Sequence, residues 1–357
     1  MQKNIFICHR PYHILRCCDI INRKYQSDCY NVLITFDVKM AGSLSYQRIK
    51  TNEIFFPAFN EVIEYGIGQI PSIKRPIYFN RYCKQRKKEF QTCVSKHSDT
   101  DSLFFFSDVE VDVELLVGLF ISNKQKDILS VLVDEGTATY STFTHHATRK
   151  FKLYSRVVSR LMGLRFFNWE WKYGGSYLYN YSIANIPEKA FFRPPVEKLP
   201  VLSEELCARY RNILMNTKTI DENKPYFIYV SAYYISFERE VSVIKQTVSM
   251  LNRFNVAFYI KPHPLQDETL YKPYQFDDYI LEKGYPIELF YGKNAIIGGY
   301  NSSALYNAAL QGCRVIDMSP LLGSIEESEG PFSIPVACSF ESFEKLIQDT
   351  INSKALS

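Results

Sequence analysis

Short unbroken runs of Val, Ile, Leu and Phe recur along the chain, separated by longer stretches of helical periodicity, and this alternation limits the fold more than any single motif does. The runs Ile5–Cys8, Val32–Phe36, Leu103–Phe106, Leu129–Val133, Tyr226–Val230, Val256–Ile260, Ala295–Ile297 and Val315–Met318 lack the polar alternation of a half-exposed strand. They suit strands buried on both faces, the environment inside a parallel sheet. Helical patterns cover Tyr12–Lys24, Arg81–Lys96, Glu204–Met215, Glu238–Phe254, Ser303–Gln311 and Phe340–Asn352. Strand followed by helix, repeated, predicts βαβ units and an α/β fold. A chain of 357 residues exceeds one core of ordinary size. The linker candidate is "FFRPPVEKLPVLSEEL", Phe191 to Leu206, with three prolines, little periodicity and an N-cap signal at Ser203. The expected domains are therefore 1–195 and 196–357, each doubly wound and Rossmann-like, with the last helix packing back on the first.

Two such domains facing one another would place ligands at the carboxyl ends of their strands, so the strand ends are where chemistry is sought. "VLVDEGTAT" drives an apolar strand into Asp134, Glu135 and Gly136. One explanation is a surface turn, since Asp and Gly are common there; the other is a carboxylate held rigidly for proton transfer. "IKPHPLQ" sets His263 between two prolines, with Lys261 before it and Pro264 after it. Proline on both sides restricts the backbone, so the imidazole is either fixed for an anion or merely part of a proline-rich turn. "AIIGGYNSSALYNAALQG" ends a strand in two glycines and opens a helix at Asn301, Ser302 and Ser303. A helix start with free N–H groups and two hydroxyls suits a phosphate, although plain N-capping by Asn301 or Ser302 also accounts for the residues. A base on the first domain and anion donors on the second fit transfer from a phosphate-bearing donor to a hydroxyl.

The order Asp-Glu-Gly at 134–136, His-Pro at 263–264 and Ser-Ser at 302–303 resembles the bacterial sialyltransferases of lipooligosaccharide and capsule synthesis, polysialyltransferases among them. The opening "NIFICHRPYHIL" is similar to theirs as well, and the resemblance runs over roughly residues 4 to 320. It implies a two-domain GT-B fold facing a central cleft and an inverting transfer of sialic acid from CMP-sialic acid to a galactose or sialic acid hydroxyl of a bacterial surface glycan. It also implies roles: Asp134, or Glu135 after it, as general base, His263 at the CMP phosphate, and Ser302 with Ser303 holding that phosphate. Gly136, Lys261, Pro264 and Asn301 belong to the same three motifs. A second GT-B glycosyltransferase activity with another nucleotide sugar stays open at this point, as does a nucleotide- or glycan-binding protein without catalysis.

Other features carry less. Arg10 and His13 follow the first strand, where Arg10 could meet an acidic sugar; helix entry with Pro11 at the first position is the plainer account. Asp108, Glu110, Asp112 and Glu114 alternate like a cation site but read better as solvated acids at a helix start. No HExxH or Cys/His cluster points to a metal, so neither metal nor cofactor is expected beyond the nucleotide-sugar donor and glycan acceptor. Net charge is only +4 and no nucleic-acid motif is present. Nine cysteines at irregular spacing fit reduced thiols in the cytoplasm. No apolar stretch reaches the ~20 residues of a membrane helix. Residues 151–175, rich in Arg, Lys and Trp, suit peripheral contact with the inner face of the cytoplasmic membrane, or else an ordinary helix with its basic side outward; the ordinary helix is favoured.

Overall fold

β-Strands that end level with one another organise both halves of the protein. The computed structural model describes residues 1–25, 28–37, 58–66, 76–106, 111–122, 128–134, 175–178, 196–214, 220–232, 235–263, 266–281, 285–300, 302–323 and 333–352. The chain divides into two compact units between Pro200 and Val201.

The first unit holds a parallel sheet of order β3-β2-β1-β4-β5-β6-β7. Its strands are β1 (Gln2–Cys8), β2 (Cys29–Asp37), β3 (Glu61–Gly66), β4 (Ser102–Phe105), β5 (Leu129–Val133), β6 (Gly175–Leu178) and β7 (Val196–Lys198). The helices are α1 (Pro11–Lys24), α2 (Pro76–Lys96) and α3 (Val111–Ser122). Ile5 and Ile7 of β1 join Val32, Ile34, Leu103 and Phe105 in one core with Phe79, Cys83 and Phe90 of α2. Phe6 points the other way and stacks on Phe104, ring centroids 4.7 Å apart. Both faces of the strands are thus apolar and buried, which is why the sequence runs do not alternate.

The second unit holds a parallel sheet of order β11-β10-β8-β9. Its strands are β8 (Tyr226–Val230), β9 (Ala257–Lys261), β10 (Ala295–Gly299) and β11 (Arg314–Asp317), and its helices α4 (Glu204–Leu214), α5 (Phe237–Arg253), α6 (Ser303–Leu310) and α7 (Phe340–Asn352). Ser203 caps α4 by accepting from the Leu206 N–H at 3.4 Å. The buried side chains of α5 (Glu240, Val241, Val243, Ile244, Thr247, Met250 and Leu251) follow one helical stripe. The stripe packs on Phe227, Phe258 and Ile260, and α7 adds Phe343 and Ile347 to the same core.

Three strands escape the apolar-run criterion. β3, "EVIEYG", is a half-buried edge strand whose glutamates interrupt the run. β6 and β7 have four and three residues, and their strand character comes from pairing Ser176 with Val196 and Val131 with Gly175. Because β7 completes the first sheet, the division falls at 200/201 and not at 195/196. The acidic run corrects another expectation. Asp112 and Glu114 do lie in the first turn of α3, but they are 5% and 2% exposed, not solvated. Asp112 accepts from both Arg86 Nε (3.1 Å) and Nη2 (2.9 Å), and from the Tyr82 hydroxyl (2.8 Å). This bidentate pair ties α2 to α3; removing one partner of such a buried pair typically costs about 3–5 kcal/mol. Asp108 and Glu110 lie outside the described residues, as do residues 151–174.

Candidate active site

Each sheet changes direction beside its first strand: β1 has β2 on one side and β4 on the other, and β8 has β9 on one side and β10 on the other. The carboxyl edge at such a point opens a crevice, because the connections leave it in opposite directions.

In the second unit the edge is level. Val230 at the end of β8 is in register with Lys261 at the end of β9 and with Gly299 at the end of β10. His263 stands two residues beyond Lys261, and Ser302 three beyond Gly299. The two motifs therefore flank the end of β8, on strands about 10 Å apart by ordinary sheet spacing. Two glycines end β10 because nothing larger fits. A Cβ on Gly298 would come within 2.2 Å of the Phe227 ring, and one on Gly299 within 2.5 Å of the Val230 carbonyl oxygen.

Ser302 is the N-cap of α6, and its Oγ accepts from the Ala304 N–H at 3.3 Å. The capping explanation is thus correct for Ser302, and it does not exhaust the residue. Capping uses a lone pair, leaving the hydroxyl hydrogen able to donate to an anion. Ser303 begins the helix, and both serines are partly exposed. The helix itself is fixed from below: Tyr291 donates to the Ala304 carbonyl (2.7 Å) and the buried Asn307 amide to Glu288 (3.3 Å). It closes at Gly312, whose φ of +80° is the left-handed conformation that glycine takes without strain.

His263 and Gln266, three residues apart, are joined through their backbones. The Gln266 N–H donates to the His263 carbonyl at 2.9 Å, and the Ser231 N–H donates to the Lys261 carbonyl at 3.1 Å. His263 is partly exposed and Lys261 buried. Gln266 extends inward to a buried carboxylate, Glu240 of α5, through its amide N–H at 3.0 Å, and accepts from the Ser231 hydroxyl. Burial pushes the Glu240 carboxyl above the usual range, against the hydrogen bond from Gln266 that favours its charged form.

In the first unit Asp134 follows β5 directly and is 0% exposed, with its N–H donating to the Tyr177 carbonyl at 2.9 Å. The backbone therefore continues the strand pairing through Asp134, and the surface-turn explanation fails for this residue. Glu135 and Gly136 lie outside the described residues, as do Pro264 and Asn301. Arg10, exposed, is the extended N-cap of α1, with Pro11 at the first helical position. His13 is fully buried, stacked on Phe106 at 4.2 Å and edge-on to His9 at 4.3 Å. Burial, then the nearby Arg10 charge, hold its imidazole well below the usual range, so it is neutral. Its visible part is packing at the sheet's turning point; of the two residues named in this loop, Arg10 is the one that faces solvent. Arg16 and Asp19, which sequence inspection passed over, are buried beneath this loop, with Arg16 Nη1 donating to Asp19 (3.3 Å) and to the Pro200 carbonyl (2.7 Å). The spacing of Arg16, Asp19 and Arg23 at three and four residues was the available signal. Among the described residues no group of His, Cys, Asp and Glu is placed to hold a metal ion.

Residues 4–318 match the family model described as alpha-2,8-polysialyltransferase (POLYST). The chain belongs to that family. It is accordingly a sialyltransferase, an enzyme that moves sialic acid onto a glycan. No curated protein is significantly similar to it in sequence. Among solved structures it is similar to a UDP-GlcNAc 2-epimerase from Methanocaldococcus jannaschii, with a TM-score of 0.59 and 15% identity over 98% of this chain and 92% of the other. It is also similar to the S. aureus MnaA–UDP co-structure (0.58, 9%, 100% and 90%) and to a glycotransferase of kitacinnamycin (0.51, 8%, 92% and 81%). At these identities the likeness establishes the fold alone. That fold is GT-B, with two parallel α/β sheets.

Proposed function

We propose that this polysialyltransferase takes CMP-sialic acid as donor and inverts the anomeric centre, with its second unit holding the CMP phosphate and Asp134 of its first unit taking the acceptor proton. In that displacement the acceptor oxygen bonds to C2 of the sialyl group, the C2–O bond to the phosphate breaks, and the acceptor proton passes to Asp134. Glu135 is the alternative base, with Gly136 completing the motif. Charge gathers on the departing CMP phosphate, and His263, the Ser302 and Ser303 hydroxyls and the N–H groups of the α6 start are the donors that stabilise it. Lys261, Pro264 and Asn301 frame the same two segments. The acceptor is a terminal sialic acid, whose carboxylate Arg10 meets. The observation that carries the reading is the level edge of the second sheet, where the His-Pro turn and the Ser-Ser helix start flank one strand end.

CMP is a monophosphate, so these donors suffice and no divalent cation is required. CMP should then raise Tm more than UDP or GDP does, and transfer should survive excess EDTA. A larger shift with UDP, or loss of turnover in EDTA, sinks the CMP donor.

The nine free cysteines suit the cytoplasm, and no helix among the described residues is long and apolar enough to cross a membrane. We further infer that the enzyme works in the cytoplasm; for residues 151–175 the sequence favours an ordinary helix with its basic side outward over contact with the inner face of the cytoplasmic membrane. Salt-sensitive sedimentation with anionic liposomes, weakened by Arg156→Glu with Arg160→Glu, would establish the membrane contact instead.

A further inference from the structure

A fully buried carboxylate deep in a parallel α/β core needs a reason, because removing an acid from water is costly unless its partners are specific. Glu240 is such a group, 0% exposed on the inner face of α5. It receives the Gln266 amide at 3.0 Å and the Tyr271 hydroxyl at 3.5 Å. The Gln266 side chain is fixed at both ends, its N–H donating to Glu240 and its carbonyl accepting from the Ser231 hydroxyl. Gln266 is itself only 6% exposed. Its backbone N–H closes the turn by donating to the His263 carbonyl. Ser231 extends β8 and is bound through its N–H to the carbonyl of Lys261, two residues before His263. The carboxylate on the helix therefore reaches the His-Pro turn by two routes, one through Gln266 and one through Ser231 and the end of β9.

We propose that Glu240, acting through Gln266, is a positioning residue that sets the direction of the His263 turn and hence its grip on the donor phosphate. This rests on the reading of His263 as a phosphate contact. Neither residue belongs to the three short motifs, and both are buried. Their chemistry is complementary in a way that ordinary packing does not need: an amide can donate to a carboxylate and accept from a hydroxyl at once, so the Gln266 side chain has one satisfied orientation. With that orientation lost, the turn loses its anchor while the helix and sheet keep their apolar contacts.

The decisive measurement is CMP affinity by calorimetry on the full chain in a double-mutant cycle. Gln266→Ala should weaken CMP binding about tenfold, His263→Ala at least as much, and the combined variant no further than His263→Ala alone. Gln266→Glu should set two buried carboxylates against each other and weaken CMP binding similarly. Adding Glu240→Gln should restore it to within about threefold, because the exchanged pair again joins an amide to a carboxylate and Ser231 still donates to an oxygen. The exchanged pair also keeps the test decisive if Gln266→Ala proves unstable. A wild-type chain that does not bind CMP would overturn the reading of the site and this proposal with it. A wild type that binds CMP while Gln266→Ala binds equally well overturns the proposal alone. So do effects of Gln266→Ala and His263→Ala that simply add, or an exchanged pair that regains Tm without regaining CMP affinity.

Discussion

The two sheets share one topology at their turning points but carry different side chains there. In the first unit, the loop of His9, Arg10 and Pro11 and the residue Asp134 flank the end of β4, since Ile7, Phe105 and Leu132 are in register. In the second, the His263 turn and the Ser302 helix start flank the end of β8. The first edge has a buried carboxylate and a histidine locked between rings; the second has a partly exposed histidine and two partly exposed hydroxyls at a helix start. The backbone supplies equivalent places in both, and the side chains set there differ in burial and charge. Neither histidine can be understood from its type: burial makes His13 packing, while His263 is partly exposed just beyond the end of β9.

The sharpest way to break this division is at the carboxylate. Asp134→Asn keeps the size and the Tyr177 pairing but cannot accept a proton, so transfer should fall by about 10²-fold or more with CMP affinity unchanged. Steady-state turnover beside calorimetric binding checks it; wild-type turnover would remove Asp134 from the chemistry, and a parallel loss of CMP affinity would erase the division between the units.

A smaller effect separates cap from anion site in the second unit. Ser302→Asp should keep Tm near wild type, because aspartate caps as well as serine and suits the positive helix end. Its charge should nevertheless repel the phosphate and weaken CMP binding about tenfold. Ser302→Ala should instead lose about 1 kcal/mol of stability with the cap. If Ser302→Asp binds CMP as wild type does, Ser302 is a cap and nothing more.

The smallest effect concerns His13. Its folded-state pKa is depressed, so below the ordinary imidazole value of about 6.5 the unfolded chain binds a proton that the native protein refuses. Stability is therefore fully present above that value and lost as pH falls below it, by up to about 1.4 kcal/mol per pH unit. His13→Phe, which can still stack on Phe106, should reduce the drop in Tm between pH 7.5 and pH 5.5. An equal drop in both proteins would mean that His13 is not held neutral by its burial.

Much of this was legible in the residues because parallel strands are buried on both faces and announce themselves as unbroken apolar runs. The strands β1, β2, β4, β5, β8, β9, β10 and β11 coincide with those runs within a few residues. The caps at Ser203 and Ser302 could be read for local reasons as well. What could not be read depends on partners far along the chain. The edge strands β3, β6 and β7 are strands because a neighbour pairs with them, and Asp112 is buried because Arg86, 26 residues away, satisfies its charge. Glu240 looks like a helix-start acid favouring the dipole, and only its 26-residue link to Gln266 shows it facing inward.

The sequence by itself determined the α/β class, the positions of the main strands and the three motifs at strand ends, because hydrophobic periodicity and turn chemistry act over a few residues. Tertiary structure alone decided the order of the strands and hence that the His-Pro and Ser-Ser motifs share one edge beside β8. It also decided that Asp134 is buried rather than in a surface turn, and that His13 is buried while His263 is partly exposed. Burial and charge pairing are set by whatever the fold brings alongside, and no local pattern encodes that.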